Sequence, residues 1–448
     1  MAFDGLVISN LVYELNQTIL NAKISKIAQP ENDELLFTLK GSNGQFRLAM
    51  SASASLPFLY LTDQNKPSPM TAPNFCMLLR KHLGSARIGK IMQPGLERVV
   101  EFELEHLNEL GDVCHKILIM ELMGKHSNII FCDDNNMILD SIKHVSCNVS
   151  SVREVLPGRP YFIPHTQDKL DPLSISRESF LEMVCKKPAM ISKSLYQTLT
   201  GLSPVMAQEL CYRASIDGND EAQALDNAAC ERLYTEFARM IEQIKAEEFT
   251  PVIIYKGEEP VEYGVLPFTQ YKAEGYFAKS FESVSEMLET YYASRDVITR
   301  IRQKSADLRK IVQTALDRNR KKLSLQQKQM KDTEKKDKYK IYGELINTYG
   351  YGLEEGCKSF KAVNYYNGEE ITIPLDPTLT PQENSKKYFD RYGKLKRTQE
   401  ALEIQIADTS SEIEHLESIS NALDIAAEES DLSQIKEELT EYGYIKRH

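Results

Sequence analysis

None of the eight cysteines stands in a Cys-x-x-Cys pair, and they are scattered from Cys76 to Cys357. That is unlike a disulfide framework or a zinc ribbon, and the cysteines read as mostly buried small hydrophobes. No stretch approaches the roughly 18 uninterrupted apolar residues of a membrane span. The N-terminus opens on Asp4 where a secretory leader would carry basic residues, so the expected address is the cytoplasm, away from any membrane. Enzymatic signatures are equally scarce. There is no Walker A loop and no Gly-x-Ser-x-Gly elbow, and the cluster Gly350-Tyr-Gly-Leu-Glu-Glu-Gly356 lacks both the spacing and the preceding strand of a dinucleotide fingerprint. His126 and His144 each follow a lysine, Lys125 and Lys143, which suits an exposed basic patch better than a metal site. The expectation is a binding protein without catalysis, cofactor or metal.

The net charge of −11 runs against a nucleic-acid binder, because neutralising phosphates needs clustered Lys and Arg. Charge is segregated, however. Residues 295–340 carry 16 Lys and Arg against 6 Asp and Glu, whereas residues 398–441 carry 13 acidic residues and a single base, Lys436.

The first part of the chain alternates short β-rich runs with turn signals. Strands are predicted over 22–28, 34–40, 45–51, 58–62, 88–93, 99–104, 116–122, 128–132 and 137–142, with helices near 10–20 and 74–83. This is an α+β domain over 1–175, closed by the proline-rich run 157–172. Short helices follow over 176–248. Within them, residues 195–207 resemble a helix-hairpin-helix in which Gly201 and Ala207 fit and Ser203 replaces a glycine, removing one easy positive-φ position. A plain helical hairpin fits the same residues. Strand chemistry returns over 249–280 and is expected to complete the first domain.

Two long helices are predicted over 281–338 and 385–442, with a compact insert over 339–384. Val297, Ile301, Leu308, Ile311 and Ala315 in the first, and Tyr392, Leu395, Leu402, Ile406, Ile413, Leu416 and Leu423 in the second, keep three–four spacing. A basic and an acidic helix of this kind suggest an antiparallel coiled coil reaching roughly 65 Å, an arm suited to a large partner. A solvated face explains the same lysines.

The strings Phe3-Asp4-Gly5, residues 75–82, Gln93-Pro-Gly-Leu-Glu-Arg98, residues 121–129 and Leu156-Pro-Gly158 together resemble the NFACT family of ribosome quality control proteins, also known as fibronectin-binding protein A-like. The resemblance runs from the N-terminal NFACT domain, itself similar to the glycosylase N-domain, through the hairpin and the coiled coil. It reaches His448, where the family's C-terminal NFACT-R domain would begin. It implies binding of a large ribosomal subunit obstructed by peptidyl-tRNA, and recruitment of alanine tRNA for untemplated alanine tailing. The family's Asp-Arg pair, tied to tRNA recognition, falls on Glu97-Arg98, with Asp4, Glu121, Lys125, His126 and Asn128 as further tRNA-binding candidates. Glu97 is one methylene longer than the family's Asp. Read without the family, Glu97-Arg98 is a charged pair on the solvent face of a strand. Arg318, Arg320, Lys321 and Lys322 are the candidates for ribosome contact. A glycosylase needs a proline and a glutamate after the first Met, and Ala2 and Phe3 stand there instead. The competing expectation is a surface adhesin that binds fibronectin.

Overall fold

The computed structural model describes residues 3–164, 168–426 and 428–446, so Ala2 and part of the proline-rich run lie outside the described residues. The chain divides into two units, Met1–Asp296 and Val297–His448.

The first unit opens with α1 (Gly5–Thr18), which starts where it does because the Asp4 carboxylate accepts from the Leu6 and Val7 N–H groups at 3.0 Å. Then come β1 (Lys23–Glu31), β2 (Glu34–Gly41), β3 (Gly44–Ser51), β4 (Phe58–Thr62), α2 (Asn74–Leu83), β5 (Arg87–Met92), β6 (Val99–Leu107), β7 (Val113–Glu121), β8 (Asn128–Asp133) and β9 (Ile138–Ser141). They form one nine-stranded antiparallel sheet in the order β4-β3-β2-β1-β5-β6-β7-β8-β9. The sheet buries both faces unequally. Side chains alternate along β6, so Val100, Phe102 and Leu104 join Leu11, Leu15 and Leu79 of the two helices in the large core. Val99 points the other way and meets Ile119, Ile130, Ile138 and Val155 in a smaller one.

Four helices follow: α3 (Arg177–Met183), α4 (Ile191–Thr198), α5 (Pro204–Arg213) and α6 (Asn227–Lys245). Ser176, Ser203 and Asp226 cap α3, α5 and α6. Next, β10 (Val252–Lys256), β11 (Glu259–Gly264) and β12 (Tyr276–Ser280) make a separate three-stranded sheet. These strands were expected to complete the first domain. They share its core through Ile253, Tyr263 and Val265 but add nothing to the large sheet. One reason is that the free edge of β4 is already occupied: the Leu61 N–H donates to Ser285 Oγ at 3.0 Å, and the Thr62 hydroxyl donates to Glu289. Both acceptors stand in the first turns of α7 (Val284–Thr333).

In the second unit, α7 is followed by α8 (Lys336–Tyr349), the hairpin β13 (Ser359–Val363) and β14 (Glu370–Pro374), α9 (Pro381–Ile425) and α10 (Glu429–Glu441). Ion pairs Arg309–Asp424 and Arg320–Glu417 set α7 and α9 antiparallel. Leu308, Val312 and Leu316 pack on Leu416, Ile419 and Leu423, and α10 adds Leu432, Ile435 and Leu439. Ile301 and Ala315 pack against this core, whereas Val312 takes the buried place expected of Ile311, and Val297 is exposed. The buried heptad position is Ser305, Val312, Asn319, Gln326 and Thr333, whose polar members hide it from a hydrophobic pattern. The second long helix was expected to run unbroken through 385–442. Instead it stops at Ile425, and a capping box of Glu428 and Asp431 starts α10. The insert between α7 and α9 has its own small core of Leu345, Ile346, Ala362, Ile373 and Leu375.

Candidate nucleic-acid interface

Three segments far apart in sequence meet at one point of the first unit. The Gly5 N–H donates to the Gly201 carbonyl at 2.8 Å. Both glycines press on the Leu96 carbonyl, and a Cβ on either would stand 2.0 Å from that oxygen. Gln93 Nε2 donates to the carbonyls of Gly5 and Glu97, each at 2.9 Å, tying the Pro94–Arg98 turn to the start of α1. Ser203 does not need a glycine's freedom. It sits in extended backbone as the cap of α5, while Gly201 takes the positive φ of +78°.

This junction carries Glu97 and Arg98 to the wall of a cleft of about 710 Å³. The rest of the wall comes from three places. A tight turn at Gly124–His126, closed by Ser127 Oγ donating to the Gly124 carbonyl at 2.6 Å, presents Lys125 and His126. The segment 143–155 brings Lys143, His144, Val149 and Arg153, and Lys169 and Thr200 complete the rim. Both Lys-His pairs of the sequence thus line one cleft. Glu97 is the single carboxylate among the lining residues.

Of the seven residues expected to touch tRNA, Glu97, Arg98, Lys125, His126 and Asn128 line the cleft, and Asp4 and Glu121 do not. Arg98 is half-buried, not on an open strand face. Burial pulls its guanidinium below the usual value, with the charges of Asp4 and Glu97 acting in the opposite direction. Burial likewise pulls down Lys169, with Arg98 adding to the effect, and Lys143. Cations stripped of water in this way gain most from an incoming anion.

Asn128 is a strut. Its amide donates to the Lys143 carbonyl at 3.0 Å and accepts from the Lys143 N–H at 3.1 Å, fixing that lysine on the rim. Glu121 is fully buried. It accepts from Tyr161 OH at 2.9 Å and from Arg153, whose other nitrogen donates to the Phe162 carbonyl at 2.7 Å. Burial pulls Arg153 down, and its bond to Glu121 more than offsets that. Asp4 is buried between α1 and Ser203. Neither carboxylate can reach a ligand directly, because each spends its acceptors inside the protein.

Sequence reasoning missed Arg153 and Lys169 because each lies in a segment without periodicity. In the second unit Arg318, Lys321 and Lys322 are exposed, and Arg320 is engaged with Glu417 at 3.1 Å. Among the described residues, no three His, Cys, Asp or Glu side chains are grouped to hold a metal ion, and no helix is long and apolar enough to cross a membrane.

Fold and cleft together define an α+β protein that offers a cation-lined cavity held by a three-segment junction, joined to a unit of long antiparallel helices. The chain belongs to the NFACT family: residues 4–448 match the family model described as NFACT N-terminal and middle domains. It is similar to the Rqc2 homolog RqcH of Bacillus subtilis (strain 168), with 34% identity covering 100% of this chain and 76% of that protein. A more distant relative, the ribosome quality control complex subunit NEMF of Homo sapiens, is 21% identical over 77% of this chain and 32% of its own length. Among solved structures, the N-terminal part of the fibronectin/fibrinogen-binding protein from Streptococcus suis has a TM-score of 0.53 at 30% identity, covering 65% of this chain and 99% of that one.

Proposed function

We propose that this chain is a cytoplasmic, non-catalytic ribosome quality control factor. In this reading it binds the large ribosomal subunit obstructed by peptidyl-tRNA and recruits alanyl-tRNA for untemplated alanine tailing of the stalled chain. The subunit supplies the peptidyl transfer. The observation that carries the proposal is the cleft, where Arg98 and two further partly desolvated cations face a cavity with one carboxylate on its wall. A planar guanidinium held there offers a forked donor to a phosphate or a base edge, and Glu97 can accept from a base amino group or a ribose hydroxyl. The names of the Bacillus and human relatives support the ribosomal setting. The name of the Streptococcus suis structure favours the second reading, a fibronectin-binding adhesin, and cell fractionation separates the two.

The test uses the full chain and purified obstructed large subunits. Converting Arg318, Lys321 and Lys322 to Glu should weaken association and flatten its salt dependence, by nearly one unit of the log–log slope for each lost phosphate contact. Arg320 is left in place because it pairs with Glu417, so the helices stay joined. Affinity for free tRNA should hold, since the three residues lie outside the unit that forms the cleft. Undiminished subunit binding by the folded variant would assign these cations to solvation of the helix.

A further inference from the structure

The three-segment junction also holds a buried hydrogen bond between residues 199 positions apart: Ser203 Oγ donates to Asp4 Oδ2 at 2.7 Å. The other carboxylate oxygen, Oδ1, caps α1 through Leu6 and Val7. Asp4 thereby fixes where α1 begins and holds the hydroxyl of Ser203, which itself caps α5 by accepting from the Met206 N–H at 3.4 Å. Between those two helix starts lies the Leu96 carbonyl, clamped by Gly5 and Gly201, and the next two residues are Glu97 and Arg98. Asp4 also acts on Arg98 through its charge. A surface arginine finds its ligand by sampling rotamers, whereas one held in a clamped turn is already oriented and loses less entropy on binding.

We propose that Asp4 and Ser203 are positioning residues of the RNA cleft: their buried hydrogen bond locks the α4–α5 turn onto the start of α1, so that Gly5 and Gly201 together hold the Pro94–Arg98 turn at Leu96 and set the angle at which Arg98 meets tRNA. This rests on the reading of the cleft as a tRNA site. It gives tRNA binding a dependence on the charge of Asp4, which never touches the RNA. Burial pushes the Asp4 carboxyl up to about 6, against the pull of the Ser203 hydroxyl and the Val7 and Leu6 N–H groups. The other charged or titratable groups acting with it are Arg98, Glu262 and Tyr263. Because the folded value lies above the unfolded one, the protonated carboxyl favours the fold at low pH, and that contribution is lost as pH rises through about 6. At pH 7.5 the ionised group therefore works against stability while it orients Arg98.

The decisive variant is Asp4→Asn. Asparagine caps a helix as well as aspartate and carries no buried charge, so the melting temperature at pH 7.5 should be equal to or above that of the wild type. Affinity for deacylated alanine tRNA, measured on the full chain, should nevertheless fall about tenfold at pH 7.5, the scale of one charge-assisted hydrogen bond. That gap should close below pH 6, where the wild-type carboxyl also loses its charge. His126 and His144 line the cleft of both proteins alike, so the comparison isolates Asp4. Ser203→Ala should lose affinity as well, and Ser203→Thr, which keeps a hydroxyl, should restore it. Wild-type affinity in a folded Asp4→Asn protein, or a gap that does not change with pH, overturns the proposal. Arg98→Ala separates the two ideas: if it too binds normally, the tRNA site is elsewhere, and if it alone loses affinity, Asp4 and Ser203 are structural only.

Discussion

Arg153→Ala should destabilise the first unit by about 3–5 kcal/mol, the usual cost of stranding one member of a buried ion pair. The Glu121 side chain is fully buried and that of Arg153 is 9% exposed. After truncation, only Tyr161 OH is left to donate to that carboxylate, and the Phe162 carbonyl loses its donor too. The pair joins β7 to the segment 153–163 that covers the smaller core, so its loss should also loosen Val145 and Val155 on the cleft wall. Urea unfolding of the variant beside Glu121→Gln checks this. The glutamine keeps an acceptor for Tyr161 without the charge and should cost less. Equal, small effects from both would mean that water reaches Glu121.

Gly201→Ala should be nearly as damaging, by more than about 3 kcal/mol. Its φ of +78° alone costs a side-chain-bearing residue about 1 kcal/mol, by the usual penalty for a left-handed backbone. The larger part is steric, because the new Cβ would sit 2.0 Å from the Leu96 carbonyl oxygen, a backbone atom that cannot rotate away. Gly111→Ala is the matched control, with a φ of +86° and nothing within 4 Å. The difference between the two variants measures the clamp without the strain. If it vanishes, the junction has room, and the orientation of the Pro94–Arg98 turn must be set by something else.

Most of the strands were legible in the sequence because the sheet is antiparallel with unequal faces, and period-two alternation survives in β2, β3 and β6. The start of α1 was placed late, near residue 10, since Asp4 reads as a surface acid until its two backbone donors are seen. The cleft was half visible. Glu97, Arg98 and the two Lys-His pairs stood out in the sequence, but their convergence depends on contacts between residues up to 199 positions apart. Glu121 was expected as a ligand and is buried behind the wall, and Asn128 lines the cleft while also holding Lys143, because nothing in a sequence distinguishes a polar side chain that faces a cavity from one that holds its wall. In the second unit the charge asymmetry was plain and the seam partly so, since Leu308, Leu402, Leu416 and Leu423 are buried, but four of the five residues at one buried heptad position of α7 are polar and hid it.

The most direct measurement is the affinity of the full chain for alanine tRNA with and without Arg98. Arg98→Ala should weaken binding by about 1–3 kcal/mol, roughly five- to 150-fold, as removal of one oriented guanidinium contact does. The melting temperature should move little, because relief from burying Arg98 is set against the loss of its attraction to Asp4 and Glu97. Unchanged affinity in a protein that melts with the wild type would contradict the account, since the cleft would then bind no RNA through its central cation.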